Sequence, residues 1–289
     1  MLPTDPWAET AARARRIEQL GYDHVWTYDH LSWRRYRGKR WFNAIPWLAG
    51  LAGATERMEL GTLVASPNFR DPVTLAQEAV TVDHVASGRF VLGIGAGGVG
   101  FDSSVLGQAA LSPAQLVARL DEFVDVLGRL FADDVVSFTG AYYTVDEAVV
   151  RPQSVRAPRV PIAVAASGPK SIAIAARRAD AWITLGDPRP LEEQPDTPYA
   201  LVREQTAQLD AACAAAGRDP ATVRRIYMTG ATEERPLTSL SSFEDFAGAL
   251  DAIGFTDVVF HHPRADDPVW TEPESIVDEI AATVIPRLH

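Results

Sequence analysis

Short runs that are apolar on both faces recur along the chain: HVWTY from His24, MELGTLVA from Met58, RFVLGIG from Arg89, VPIAVAA from Val160, AWITL from Ala181, RRIYMTG from Arg224 and TDVVFHH from Thr256. A strand with one wet face alternates apolar and polar side chains. A strand that is apolar throughout is buried on both sides, the condition of a parallel sheet covered by helices. Seven such strands are expected, each followed by a helix or a long loop.

Helix starts between these runs are legible. Asp5 and Pro6, Asp71 and Pro72, and Ser112 and Pro113 each place a capping side chain before a proline in the first turn. The helix after Ser112 sets Leu116, Leu120, Phe123, Leu127 and Leu130 on one face. Ser242 and Asp245 have capping-box spacing, and Gly21 and Gly254 close helices. The chain opens almost directly on a helix cap, so a (β/α)8 barrel of TIM type is expected with its first strand reduced to a stub or missing. The alternative is an open doubly wound sheet. With 289 residues, no long linker and no repeat, one domain over 1–289 is expected. Residues 132–159 and the proline-rich 186–198 read as excursions from it.

A net charge of −11 argues against nucleic acid or an anionic membrane as partner, since both select a basic face. Cys213 is the single cysteine, which excludes an internal disulfide, and no CxxC pattern points to metal. No apolar run approaches the ~18 residues of a membrane span. Residues 1–20 lack the basic and apolar regions of a signal peptide. A cytoplasmic protein acting on a small molecule is the expectation.

The stretch SGRFVLGIGAGGVGFD contains G-x-G-x-x-G twice, at Gly93, Gly95 and Gly98 and at Gly95, Gly97 and Gly100. A dinucleotide-binding turn needs a helix immediately after the glycines and an acidic residue ~20 positions on, at the end of the next strand. Here no helical periodicity follows before Ser112, and Asp121 lies inside a helix. The glycines instead mark a strand end where bare backbone lets a large flat ligand lie close.

LGYDHVWTYDHL, ERMELGTLVASPNFRDPVTLAQEAVTVDHVASGRFVLGIGAG, GAYYTV and VPIAVAASGPKSIAIAARRADAWIT follow one another in the order seen in the luciferase-like flavin and deazaflavin oxidoreductases. The chain resembles that TIM-barrel family over nearly its whole length. GTLVASPNFRDP is closer to the coenzyme F420-dependent branch than to the FMN monooxygenases. Only two of the 27 basic residues are lysine, Lys39 and Lys170, a bias of high-GC genomes in which F420 is common. The resemblance implies hydride transfer between F420 and a small organic substrate. FMN-dependent monooxygenation and a catalytically idle flavin-binding protein are the alternatives.

The resemblance also implies a site. Asp29 and His30 would face the ring and the substrate, with His30 as proton source. Leu63 and Val64 would share a cis peptide behind the ring. Ser66, Ala96, Gly97 and Gly98 would line the ring and its tail, and Ala166, Ser167, Gly168, Pro169 and Lys170 would hold the phosphate. The last set also stands on its own residues: a strand joined to a helix through glycine presents free amides at a positive helix end. Some F420-dependent dehydrogenases carry a glutamate where this chain has Gly98, and Asp102 is the nearest acid. Trp33, in the run WRRYRGKRW, and His261, His262 and Arg264 after the last strand are candidate substrate contacts. No third ligand accompanies the paired histidines, so no metal is expected. Tyr142 and Tyr143 read as packing in the excursion, and Cys213 as a small core residue. A barrel short of its first strand leaves an edge that a homodimer or further N-terminal chain would cover.

Overall fold

The computed structural model describes every residue except 32, 34–35, 99–100, 187–192, 194–198, 230–234, 265–266, 268 and 289. Two compact units are present, one of residues 2–18 and 23–165, the other of 1, 19–22 and 166–289. The first holds α1 (Trp7–Gln19), β1 (His24–Thr27), α2 (Ala44–Ala54), β2 (Glu59–Thr62), α3 (Pro72–Val85), β3 (Phe90–Gly95), α4 (Phe101–Val105), α5 (Pro113–Ala132), β4 (Val136–Thr139), β5 (Thr144–Ala148) and β6 (Ile162–Ala165). β1, β2, β3 and β6 pair in that order, all parallel, with Val25 opposite Leu60, Leu60 opposite Phe90 and Leu92 opposite Ile162. The second unit holds α6 (Pro169–Arg178), β7 (Ala181–Leu185), α7 (Ala200–Ala215), β8 (Arg224–Met228), α8 (Leu240–Asp251), β9 (Asp257–Val259) and α9 (Ser275–Thr283). Its strands pair in parallel as β7, β8 and β9.

All seven apolar runs are therefore parallel strands, and among the described residues no strand precedes α1. The excursion at 132–159 contains the antiparallel hairpin β4–β5. The one at 186–198 falls almost wholly outside the described residues, as do Gly100 of the glycine stretch and Gly230 of the β8 run.

Local chemistry explains the helix starts. Asp71 accepts from the amides of Val73 and Thr74, with Pro72 in the first turn of α3. Ser112 and Gln115 cap each other's backbone reciprocally at α5. The five apolar residues read from the sequence as one face of α5 are all buried, each contributing about 1.5–3 kcal/mol by leaving water. Two starts differ from expectation. α1 begins at Trp7, just after Pro6 rather than around it, and the Asp5 carboxylate pairs with Arg13 on that helix. The cap of α8 is Ser239, not Ser242: its hydroxyl accepts from the Ser242 amide. The serines offer several caps, and Leu240, packed against the apolar cluster of Phe243, Ile276 and Ile280, draws the helix upstream.

One buried acid organises the entry to β2. Glu18, at the end of α1, accepts from the amides of Glu56, Arg57 and Met58 at 2.7–3.1 Å. Burial raises its carboxyl, but those three amides outweigh it and hold the group below the ordinary range. Glu18→Gln is expected to lose about 1–3 kcal/mol at neutral pH. A group with a depressed folded pKa stabilises above its unfolded pKa and loses that contribution as pH falls through the folded value. Thermal melts should therefore show the wild-type advantage shrinking in acid. An advantage unchanged at low pH would refute the charged-cap reading.

Candidate active site

β1 runs directly into Tyr28, Asp29 and His30. Asp29 is 1% exposed, and both its oxygens are taken by Arg70, from Nε at 2.9 Å and from a terminal nitrogen at 2.8 Å. Arg70 also reaches Glu78 at 3.1 Å and the Asn43 side-chain oxygen at 3.2 Å, and Asn43 caps α2. Burial pushes the Asp29 carboxyl up while Arg70 pulls it back. Burial alone would lower the Arg70 guanidinium, but the hydrogen bonds and charge of Asp29 hold it raised. Asp29 thus fixes the β1 terminus through a forked ion pair.

His30 is placed differently. Its Nδ1 lies 2.7 Å from Asp102 Oδ2, and Asp102 Oδ1 accepts from the Leu31 amide at 2.8 Å. The Asp102 side chain is buried, whereas about a third of the His30 side chain is accessible. A carboxylate on Nδ1 fixes the ring's orientation and its tautomer, leaving Nε2 to exchange a proton. Asp102 reaches His30 because α4 starts at Phe101, in the stretch where the sequence reading placed no helix. At five residues, α4 is too short to show apolar periodicity.

Around His30 stands an aromatic wall. Trp33 is parallel to the imidazole within 3° and lies 5.1 Å from Tyr28, 5.5 Å from Tyr36 and 5.7 Å from Trp41, centroid to centroid. Trp41 Nε1 donates to the His30 carbonyl at 2.9 Å. Part of the basic character of this run lies at residues 34–35, outside the described set.

The glycines of β3 make room first for the chain itself. A Cβ on Gly93 would sit 1.9 Å from the Thr62 carbonyl oxygen, and one on Gly97 would sit 2.3 Å from Ser66 Oγ and 2.5 Å from Asn68 Nδ2. Gly97 also has φ +76°, which disfavours a side chain. Segment 62–68, with Leu63–Val64 cis, thus presses against β3 and its C-terminal turn. Leu63 and Ser66 are buried; Val64, Ala96 and Gly97 are half-exposed. Gly98 is exposed, with open space around any added Cβ, and its carbonyl is held by Asn68 Nδ2 at 2.9 Å.

In the other unit, Ala166 is buried and fixed by Ile183 and Trp182. The Ser167 carbonyl accepts from Gln205 at 3.1 Å. Gly168 caps α6, with Pro169 in its first turn; Ser167, Gly168, Pro169 and Lys170 are exposed. The Ser171 hydroxyl accepts from the Gly168 amide at 3.3 Å. His261 stacks on Trp270 at 4.5 Å. His262 is buried between the Pro263 carbonyl and Glu274, and Arg264 pairs with Asp267.

All of the residues of the first unit described above lie within a stretch that matches a known family. The chain is a member of the luciferase-like monooxygenase family, which matches residues 1–234. An F420-dependent glucose-6-phosphate dehydrogenase of Microbacterium testaceum is 35% identical over 176 residues, covering 60% of this chain and 51% of that protein. The enzyme of the same name from Beutenbergia cavernae is 31% identical, covering 94% of this chain and 90% of its own. The chain thus spans about half the length of several curated relatives it matches. The solved F420-dependent secondary alcohol dehydrogenase in complex with an F420–acetone adduct aligns with a TM-score of 0.77 at 18% identity, over 99% of this chain and 96% of that one. That likeness shows the fold class, an α/β barrel of TIM type.

Proposed function

We propose that this protein is an oxidoreductase that uses coenzyme F420 for hydride transfer to or from a small organic substrate. The observation that carries the reading is the His30–Asp102 pair at the end of β1, with Nε2 left available beside an aromatic wall. Family membership and the names of the relatives support it.

In the first unit the residues present fit the cofactor's ring: Val64, Ala96 and Gly97, half-exposed, and the exposed Gly98 offer apolar side chain and bare backbone suited to a flat ring. In the second unit, taken by itself, the exposed start of α6, with Ser167, Gly168 and Lys170, is a surface suited to a phosphate. When bound, the deazaflavin ring supplies the hydride donor or acceptor. Asp29, locked by Arg70, sets the position of the adjacent His30. As hydride enters or leaves the substrate, a substrate oxygen gains or loses a proton; His30 Nε2 supplies or takes it, and Asp102 stabilises the imidazolium. The aromatic wall shields part of the imidazole from water during that exchange.

Equilibrium titration of the purified protein with F420 and, separately, with FMN tests the reading. F420 is expected to bind at least about tenfold more tightly, a difference of roughly 1.4 kcal/mol or more. Tight FMN binding without F420 binding would sink the deazaflavin assignment and favour the monooxygenase.

A further inference from the structure

α5 carries an arginine on its buried face. Arg119 is 9% exposed, among Leu116, Leu120 and Phe123 of the same helix. Its guanidinium makes one hydrogen bond among the described residues, to the neutral side-chain oxygen of Asn68, and its Nε is buried without a partner. Arg89 in the same unit is different: it donates to the carbonyls of Ala52, Thr55 and Met58 and to the Thr55 hydroxyl. The oxygens that act electrostatically on Arg119 are the phenols of Tyr143 and Tyr142, not a carboxylate. A guanidinium withdrawn from water without a counter-ion is costly, and an anion that enters beside it removes that cost.

There is room for one. Arg119 lines a cavity of about 490 Å³ together with Phe69, Leu111, Asp71, Tyr142 and Tyr143, a size suited to a small organic molecule. The hydroxyls of Tyr142 and Tyr143 take no part in a hydrogen bond among the described residues. Burial raises the Tyr143 phenol and keeps it a donor. Arg119 and the two phenols are the donors of this lining with spare capacity; Arg70, which also lines it, is engaged by Asp29 and Glu78, Gln108 adds an amide, and Phe69 and Leu111 give an apolar wall. Asp71 adds one negative charge, although its carboxylate is engaged at the start of α3. That charge disfavours a dianion.

We propose that this cavity binds a small organic monoanion, a carboxylic acid with an apolar body. Its carboxylate is held by Arg119, Tyr142 and Tyr143, and its body lies against Phe69 and Leu111. The site uses none of residues 63–66, 96–98 or 166–170. Asn68 joins it to the glycine turn, since its oxygen accepts from Arg119 and its nitrogen donates to the Gly98 carbonyl.

Calorimetric titration of the full chain with 3-phenylpropionate, with 3-phenylpropionamide and with inorganic phosphate tests the proposal. The acid should bind saturably and at least about tenfold more tightly than the amide, and phosphate should be weaker than the acid. Arg119→Gln should weaken the acid about tenfold or more and leave the amide unchanged, and Tyr142→Phe should weaken the acid several-fold with an unaltered melting temperature. Equal binding of acid and amide would overturn the proposal, as would no saturation by about 10 mM acid or phosphate matching the acid. Should Arg119→Gln fail to fold, Tyr142→Phe decides: wild-type affinity for the acid in that variant overturns it.

Discussion

Replacing Arg70 with methionine should remove about 3–5 kcal/mol of folding stability, a fall of roughly 10 °C in melting temperature at about 2–4 °C per kcal/mol. The size follows from what is left behind. Asp29 is buried, and Arg70 supplies hydrogen bonds to both its oxygens. Without them a carboxylate stands uncompensated in the interior, next to Asp102, whose charge already raises it. Arg70→Met combined with Asp29→Leu should recover most of the loss, because it leaves no buried orphan charge, only the partly exposed Glu78 without its guanidinium. The pH dependence gives a second check. Loss of Arg70 raises the folded-state pKa of Asp29 further above its unfolded value, near 3.9. A group shifted that way stabilises fully below the unfolded pKa, and the contribution is lost as pH rises through the folded pKa. The deficit of the single variant against wild type should therefore narrow from pH 7 to pH 5. Circular-dichroism melts at the two pH values measure it; an identical deficit at both would mean that no charge is stranded.

The same pair shows which parts of the site can be read from a sequence. Strands buried on both faces announce themselves, because their environment forbids polar residues over the whole run; all seven were legible. Caps that combine an acid or serine with proline were legible at Asp71 and Ser112, where one residue dominates. At Ser239 to Ser242 several hydroxyls compete, and packing of Leu240 made the choice. The family resemblance pointed to Asp29, His30 and the cis link at Leu63, but the partners that give Asp29 and His30 their properties lie 41 and 72 positions away. No periodicity connects residues at such distances. Within NFRDP nothing marks Arg70 as the partner of Asp29, and Asp102 stands out in the sequence only as the acid nearest the glycines. The glycines were read as room for a ligand; at Gly93 and Gly97 the chain's own segment 62–68 occupies that room, and Gly98 alone of the three opens outward. Arg119 was hidden for the opposite reason. On a helix whose neighbours are apolar it looks like an exposed arginine, and only the packing of α5 in the fold turns it inward.

Replacing His30 with alanine should lower kcat by about 10²–10⁴-fold, the usual contribution of a positioned proton carrier, in turnover with F420 and a substrate that the protein accepts. The melting temperature should hardly move, since the ring is partly accessible and Asp102 still accepts from the Leu31 amide. Asp102→Asn removes the charge and keeps one acceptor. With its oxygen toward the Leu31 amide, the new amide turns its NH2 toward Nδ1, which favours the tautomer protonated at Nε2, and the charge that stabilises an imidazolium is gone. Loss of a charge-assisted hydrogen bond worth about 1.5–3 kcal/mol corresponds to roughly 10–100-fold in kcat. KM should change little in either variant if the aromatic wall, rather than the imidazole, binds the substrate. F420 affinity should be retained in both, because Val64, Ala96, Gly97 and Gly98 are untouched. A His30→Ala protein that keeps the wild-type rate with F420 bound would take the proton away from this histidine while leaving the cofactor assignment standing. A protein that loses F420 binding along with activity would instead make His30 part of the cofactor's seat.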